Sequence, residues 1–168
     1  KKESKLGFYL YGDVGVGKTM ILDFFFKQFE IKKTKVHFNE FMINFHDFMF
    51  NNDKKDKAIE IFVNNLRNKA KILFFDEFQV TNIVDAMILG RLFEKIFEKK
   101  ICVLFSSNIK INDLYEDGLQ RDQFLPFLKI LKENSIEKEL SINEDYRINK
   151  KDTLNRFLSP LNETTNFK

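Results

Sequence analysis

The chain has 168 residues, of which 43% are hydrophobic and 32% are charged, and its formal net charge is +3. This composition is typical of a globular domain with a buried core and excludes an intrinsically disordered chain. The single cysteine excludes a disulfide framework and fits a reducing compartment. The lysines are scattered among acidic residues, so the sequence does not predict a nucleic-acid surface, and no apolar run is long enough to span a membrane.

Strands and helices are predicted to alternate along the chain. Apolar or alternating runs predict strands at residues 6–11, 35–38, 72–75, 101–105 and 136–140, and a strand- or loop-like run at 157–161. Apolar residues at helical spacing predict helices at 20–29, 40–49, 57–66, 82–97, 113–116 and 126–133, with N-caps at Asn39, Asp56 and either Thr81 or Asn82. Because the strands look buried on both faces, this order predicts a mostly parallel α/β sheet between helices.

The stretch from Gly12 to Thr19 reads G-D-V-G-V-G-K-T and fits the phosphate-binding pattern G-x-x-x-x-G-K-[ST]. A strand precedes it and a helix follows it, which is the context that this P-loop motif requires. Its glycines let successive backbone N–H groups face a phosphate, Lys18 would reach the β- and γ-phosphates, and the Thr19 hydroxyl would bind Mg²⁺. We predict that ATP contacts nine consecutive residues of this stretch, Gly12, Asp13, Val14, Gly15, Val16, Gly17, Lys18, Thr19 and Met20.

Two acids follow the apolar strand at 72–75. We expect Asp76 to hold Mg²⁺, often through water in P-loop proteins, and Glu77 to act as the general base on an attacking water. Glu77 favours hydrolysis over transfer to a small-molecule hydroxyl, because small-molecule kinases usually lack this glutamate. The alternative is a pair of surface acids at a strand end.

Three further polar residues are candidates for the same site. Asn108 would point at the γ-phosphate if its strand lies between the strands that carry the loop and the acids; otherwise it is a turn residue. Arg121 could stabilise transition-state charge in a neighbouring subunit as an arginine finger, or it could be a surface or capping arginine. Arg91 is the weaker candidate for that role.

Together these residues resemble the AFG-like AAA+ ATPases, which include the bacterial ZapE cell-division ATPases and mitochondrial relatives. The resemblance lies in residues 7–23, 37–46, 75–93 and 106–127, and in shorter matches at 145–147 and 158–161. The runs F-D-E-F-Q-V at 75–80 and G-L-Q-R at 118–121 are the most specific. The chain departs from the usual family residues at Asn39, Asn82, Ser106 and near Ile111, and none of these removes a proposed catalytic group.

The resemblance implies an AAA+ P-loop core over residues 1–150, with a five-stranded sheet in the order 5-1-4-3-2. It implies that residues 151–168 begin a C-terminal region whose helical lid lies beyond this chain. It also implies that Lys18, Thr19, Asp76, Glu77 and Asn108 match the two Walker motifs and the sensor asparagine. Arg121 is our assignment for the finger.

The implied function is Mg²⁺-dependent ATP hydrolysis that remodels a protein partner, at the division ring in bacteria or in respiratory-chain protein turnover in mitochondria. The implied location is the cytoplasm, near the inner membrane or division site, or the mitochondrion in a eukaryote. Self-association would let the finger act in trans. The alternative is a helicase-loader-like ATP switch that grips single-stranded nucleic acid, but no aromatic residues alternate with Lys32, Lys33 and Lys35.

Overall fold

The computed structural model describes residues 5–52 and 57–141. Within these ranges the strands are β1 (Gly7–Tyr11), β2 (Lys33–His37), β3 (Ile72–Asp76), β4 (Cys102–Ser107) and β5 (Ser135–Glu139). The helices are α1 (Lys18–Gln28), α2 (Phe38–Asn51), α3 (Ala58–Lys69), α4 (Ile83–Glu98) and α5 (Arg121–Asn134), with a short 3₁₀ helix at Ile111–Asp113. The predicted cap Asp56, the matches at 145–147 and 158–161, the run at 157–161 and the region 151–168 lie outside the described residues.

The described strands form one parallel sheet in the order β2-β3-β4-β1-β5. This is the predicted order 5-1-4-3-2, read from the opposite edge. Strand β4 lies between β1 and β3, so the loop after β1 and the acids Asp76 and Glu77 at the end of β3 flank the end of β4. In open parallel sheets, ligands bind at the carboxyl ends of the strands where the strand order switches. The fold therefore places the P-loop, the two acids and Asn108 together at the carboxyl ends of the inner strands β1, β3 and β4.

The two faces of the sheet bury different sets of side chains. On one face, helices α2 to α5 cover a large core in which Phe75, Phe93 and Phe105 are fully buried. On the other face, α1 contributes Leu22 and Phe26 to a smaller core. Consecutive residues of a strand point to opposite faces, so one apolar strand such as β3 serves both cores. This explains why β3 and β4 read as continuous apolar runs.

Phe78 lies just after β3 and fills the centre of the larger core. It is 1% exposed, and its ring lies 4.3 Å from that of Phe38 and 4.9 Å from that of Phe105, centroid to centroid. We expect Phe78→Ala to lower the free energy of unfolding by about 3–5 kcal/mol, because the truncation loses buried area and leaves a cavity. Denaturant unfolding measures this change. Phe50→Ala is the matched control, since Phe50 is 85% exposed and should change stability by less than about 0.5 kcal/mol.

The predicted start of the second helix is wrong. Helix α2 begins at Phe38 with His37 at its cap, so Asn39 lies inside the first turn and is not the N-cap. Strand β2 also begins earlier than predicted, at Lys33, and leads directly into α2 without a loop. Asn82 does cap α4, because its side-chain oxygen accepts a hydrogen bond from the Asp85 N–H at 2.8 Å.

The last predicted helix begins earlier than its proline suggests. Helix α5 starts at Arg121, after Gln120 in the left-handed region (φ 54°), and Pro126 lies inside it. The proline lacks one backbone N–H donor, but burial of Phe124 and Phe127 on either side stabilises the helix through that position. The helix predicted at 113–116 is also wrong, since the structure has a 3₁₀ helix at Ile111–Asp113 followed by turns.

Candidate active site

The P-loop connects β1 to α1 through backbone that favours glycine. Gly12, Gly15 and Gly17 have φ values of 154°, 82° and 91°. A Cβ atom on Gly12 would lie 2.1 Å from the backbone oxygen of Leu140, so a side chain does not fit there. Helix α1 begins at Lys18 and has no side-chain cap at its N-terminus. Its first N–H groups therefore remain available to an anion beside the positive end of the helix dipole.

The Lys18 side chain folds back over this loop. Its Nζ donates hydrogen bonds to the backbone oxygens of Gly12 at 2.8 Å and Asp13 at 2.7 Å, and the residue is buried. Burial lowers the pKa of Lys18, and the nearby charge of Asp13 opposes that change. Backbone carbonyls do not neutralise an ammonium group, so the charge of Lys18 is directed into the P-loop, where a phosphate would meet it.

Thr19 and Asp76 meet at the carboxyl end of β3. The Thr19 hydroxyl donates to Asp76 Oδ1 at 2.8 Å, and the Ser106 hydroxyl donates to the same oxygen. Burial alone would raise the pKa of Asp76, but the hydrogen bonds from Ser106 and Thr19 and the charge of Lys35 outweigh it and lower the pKa. Asp76 is therefore an ionised carboxylate with a fixed orientation.

This pair suits Mg²⁺, which prefers oxygen ligands and usually keeps several waters. Thr19 offers a hydroxyl and Asp76 a carboxylate, and the two are in hydrogen-bond contact. Among the described residues, no group of three or more His, Cys, Asp or Glu side chains could hold a metal ion. The arrangement fits an ion that takes one or two protein ligands and completes its shell with phosphate and water.

Glu77 faces away from the core because of the backbone turn at the end of β3. Its φ is 54°, an uncommon value for a residue with a side chain, and such values persist only where neighbouring contacts impose them. Here the Ser106 hydroxyl accepts from the Glu77 N–H at 3.1 Å, and the Ser106 carbonyl accepts from the Phe78 N–H at 2.7 Å. With Phe78 held inward, the Glu77 side chain projects outward and is 77% exposed.

These residues converge on one cavity of about 360 Å³ at the edge of the sheet. It is lined by Val14, Gly15, Gly17, Lys18, Thr19, Met20, Glu77, Ser106, Ser107 and Asn108. Asn108 is exposed at the end of β4, which lies between the strands that carry the P-loop and the acids. The strand order thus meets the condition on which the Asn108 prediction depended.

The two arginine candidates lie elsewhere. Neither Arg121 nor Arg91 lines the cavity just described. The Arg121 guanidinium donates to the backbone oxygens of Leu114 at 2.9 Å and Asn112 at 2.7 Å, which ties the start of α5 to the preceding 3₁₀ turn. Arg91 is exposed on α4. Any contact of either residue with a phosphate would therefore involve another subunit or a change in these bonds.

Sequence analysis missed Ser106 as a functional residue and noted it only as a departure from the family pattern. In the structure Ser106 contacts both acids, since it donates to Asp76 and accepts from the backbone of Glu77. It is 2% exposed. The sequence did offer one indication of a role for Ser106, because it is a polar residue at the end of an apolar strand, directly before Ser107 and Asn108. That signal does not reveal which neighbouring strand the hydroxyl would meet.

The lysines considered for a nucleic-acid groove make contacts within the chain. Lys32 donates to a backbone carbonyl of α3, Lys33 donates to carbonyls at the end of α1, and Lys35 forms an ion pair with Asp23 at 2.8 Å. These contacts hold β2 to its neighbouring helices. They favour a structural role for the three lysines over a free basic surface.

The sequence matches the model of the AFG1-like ATPase family over residues 1–168. The chain belongs to this family. Cell division protein ZapE of Escherichia coli (strain K12) is 34% identical to this AFG1-like chain over 160 residues, covering 95% of the chain and 43% of ZapE. Lactation elevated protein 1 homolog B of Danio rerio is 36% identical over 154 residues, covering 84% of the chain and 30% of that protein. The chain thus spans less than half the length of these relatives.

Solved structures share the fold of this AFG1-like chain. AMPPCP-bound DnaA from Aquifex aeolicus matches with a TM-score of 0.59 at 19% identity, covering 95% of this chain and 48% of that one. The DnaC helicase loader matches with a TM-score of 0.59 at 14% identity, covering 84% and 81%. These comparisons confirm the P-loop NTPase fold. Among the described residues, no helix combines the length and apolar character needed to cross a membrane.

Proposed function

We propose that this chain carries the catalytic site of a Mg²⁺-dependent ATPase. The observation that carries the proposal is the convergence of Lys18, Thr19, Glu77 and Asn108 on one cavity, with Asp76 bonded to Thr19 beside it. A phosphate cradle alone supports nucleotide binding. The outward carboxylate of Glu77 adds a group that can activate water, and this distinguishes a hydrolase from a protein that only binds nucleotide.

Different groups of the chain bind the phosphates and activate the attacking water. The P-loop N–H groups and Lys18 bind the phosphate oxygens, and Mg²⁺, when bound near Thr19 and Asp76, would neutralise charge on the β- and γ-phosphates. Glu77 accepts a proton from the attacking water as the water oxygen bonds to the γ-phosphorus, and ADP departs with the electrons of the broken P–O bond. The Asn108 amide orients that water or contacts the γ-phosphate.

The purpose of hydrolysis is proposed from the family. ZapE is described as a cell division protein, and we propose that this chain likewise uses ATP hydrolysis to remodel a protein partner, at the division ring or in a membrane complex. The corresponding location is the cytoplasm close to the inner membrane or division site, or the mitochondrion in a eukaryotic source. We further propose that copies of the chain associate so that Arg121 acts on a neighbour's γ-phosphate.

Replacing Lys18 tests the phosphate cradle. We expect Lys18→Ala to weaken ATP binding by about 10- to 100-fold, because a hydrogen bond to a charged group contributes about 1.5–3 kcal/mol. Fluorescence titration with a labelled ATP analogue measures the affinity, and phosphate release measures turnover. Lys27→Ala, an exposed lysine in the last turn of the same helix, is the control and should match the wild type. Equal affinities in all three proteins would contradict the proposal.

Single-strand binding distinguishes the helicase-loader alternative. We expect no salt-steep binding of a labelled oligonucleotide, since Lys32, Lys33 and Lys35 are engaged within the chain. Fluorescence anisotropy over a salt series measures this. A loader would lose affinity steeply as salt rises, because each neutralised phosphate releases counterions. Tight binding with such a slope would favour the alternative.

A further inference from the structure

We propose that Lys35 is a positioning residue of this site, whose ammonium group is shared between Asp23 and Asp76 and sets both the orientation of Asp76 and the affinity of the site for Mg²⁺. The inference rests on the proposed function and extends it to residues outside the P-loop and strand-end motifs. It concerns a cluster on the α1 face of the sheet, formed by one residue each from α1, β2 and β3.

Lys35 lies on β2, the strand next to β3, and its side chain reaches Asp76 at the carboxyl end of β3. Lys35 pairs with Phe74 in the β2–β3 register, and its Nζ lies 4.8 Å from the Phe74 ring centroid. From there Nζ bonds both carboxylate oxygens of Asp23 at 2.8 Å and lies 3.4 Å from Asp76 Oδ2. One cation therefore links the P-loop helix to the strand that carries the predicted Mg²⁺ ligand.

These contacts divide the two oxygens of Asp76 between different partners. Oδ1 accepts from Thr19 and Ser106, whereas Oδ2 faces Lys35. The terminal torsion of an aspartate is broad, so a carboxylate held on one side only can rotate. With Lys35 on the second oxygen, Oδ1 stays directed at the Thr19 hydroxyl. Lys35 thus fixes the oxygen that a cation beside Thr19 would use.

The charge of Lys35 has a second effect. A positive charge close to Asp76 opposes the binding of another cation there, and Asp23 reduces this opposition by holding the ammonium. The Lys35 ammonium lies within ion-pair distance of both carboxylates, at 2.8 Å from Asp23 and 3.4 Å from Asp76, so both of them share its charge. Without Asp23, the Lys35 ammonium would pair with Asp76 alone and would oppose a second cation there more strongly. Removing Lys35 would leave two carboxylates, Asp23 and Asp76, without their shared cation.

The two removals therefore shift Mg²⁺ affinity in opposite directions. We expect Asp23→Asn to raise the Mg²⁺ concentration at half-maximal effect by about three- to tenfold, and Lys35→Met to lower it by a similar factor. Lys35→Met should also slow phosphate release, because Asp76 is no longer held in place. Tighter Mg²⁺ binding together with slower turnover is a combination that simple loss of structure does not produce. Lys35→Arg keeps the charge and should restore both values.

The measurement is a Mg²⁺ titration of the binding of a fluorescent ATP analogue to the 168-residue chain, with phosphate release measured alongside. Lys33→Met is the matched control, since Lys33 lies on the same strand and face, with its Nζ 5.2 Å from the Phe26 ring centroid. It bonds backbone carbonyls of α1 instead of carboxylates. Its Mg²⁺ midpoint should equal that of the wild type.

The outcomes separate the two proposals. A lowered Mg²⁺ midpoint in Lys35→Met together with a raised midpoint in Asp23→Asn supports the inference, and the reversed pair of shifts overturns it. Unchanged midpoints, or shifts in the same direction, overturn it while Mg²⁺-dependent binding by the wild type leaves the proposed function standing. A wild type without Mg²⁺-dependent nucleotide binding overturns both. If Lys35→Met does not fold, the Mg²⁺ midpoint of Asp23→Asn alone tests the inference, because asparagine has the same shape as aspartate and preserves the packing at that position.

Discussion

Replacing Glu77 with glutamine should slow ATP hydrolysis by about 10²- to 10⁴-fold, the range that a positioned general base contributes, while ATP binding is retained. Glutamine has the same shape but cannot accept the proton of the attacking water. The phosphate contacts of the P-loop and Lys18 are untouched, so the affinity for ATP should stay within about twofold of the wild type. Phosphate release gives the rate, and titration with a labelled ATP analogue gives the affinity.

The Glu77 result needs a control for loss of charge. Glu133→Gln makes the same change at an exposed position on α5 and should leave the rate unaltered. Glu77→Gln also keeps the backbone turn at φ 54°, which the Ser106 hydroxyl and carbonyl hold through main-chain N–H groups. A Glu77→Gln protein that hydrolyses ATP at the wild-type rate would exclude Glu77 as the general base.

Replacing Arg121 with alanine should reduce hydrolysis by about 10³-fold or more, as loss of an arginine finger does, with ATP binding spared. If the finger acts in trans, activity per subunit of the wild type should rise with protein concentration as the subunits associate. The guanidinium bonds to Asn112 and Leu114 offer the competing explanation, in which Arg121 only anchors the turn before α5. In that case Arg121→Ala lowers the free energy of unfolding and leaves the rate per folded molecule unchanged.

Mixing two inactive variants separates these explanations. A shared site needs Glu77 from one subunit and Arg121 from its neighbour. Mixing Glu77→Gln with Arg121→Ala should therefore restore activity, because some interfaces pair an intact Glu77 with an intact Arg121. Arg91, the other candidate finger, is exposed on α4 and is tested by the same assay. If Arg121 is the finger, Arg91→Ala should hydrolyse ATP at the wild-type rate. No recovery on mixing would place the function of Arg121 within its own subunit.

The P-loop and the acid pair could be predicted from local sequence because their chemistry depends on local backbone. Gly12, Gly15 and Gly17 occupy positive φ values that favour glycine, and the strand–loop–helix order fixes what surrounds them. The strand order was also predictable, since the family resemblance supplied it and the structure confirms it. The predicted helix start at Pro126 was wrong because it relied on a local preference, the usual place of proline in the first turn of a helix. Tertiary packing of Phe124 and Phe127 instead extends α5 back to Arg121.

The sequence by itself predicted which residues would bind phosphate, hold Mg²⁺ and activate water, because Lys18, Thr19, Asp76 and Glu77 lie in short patterns with defined chemistry. Only the tertiary structure decided how Asp76 and Glu77 are held. The insertion of β4 between β1 and β3 brings Ser106 to both acids, and the pairing of β2 with β3 brings Lys35 to Asp76. These contacts join residues 29 to 41 positions apart in the chain, and periodicity within a segment carries no information about which strands become neighbours.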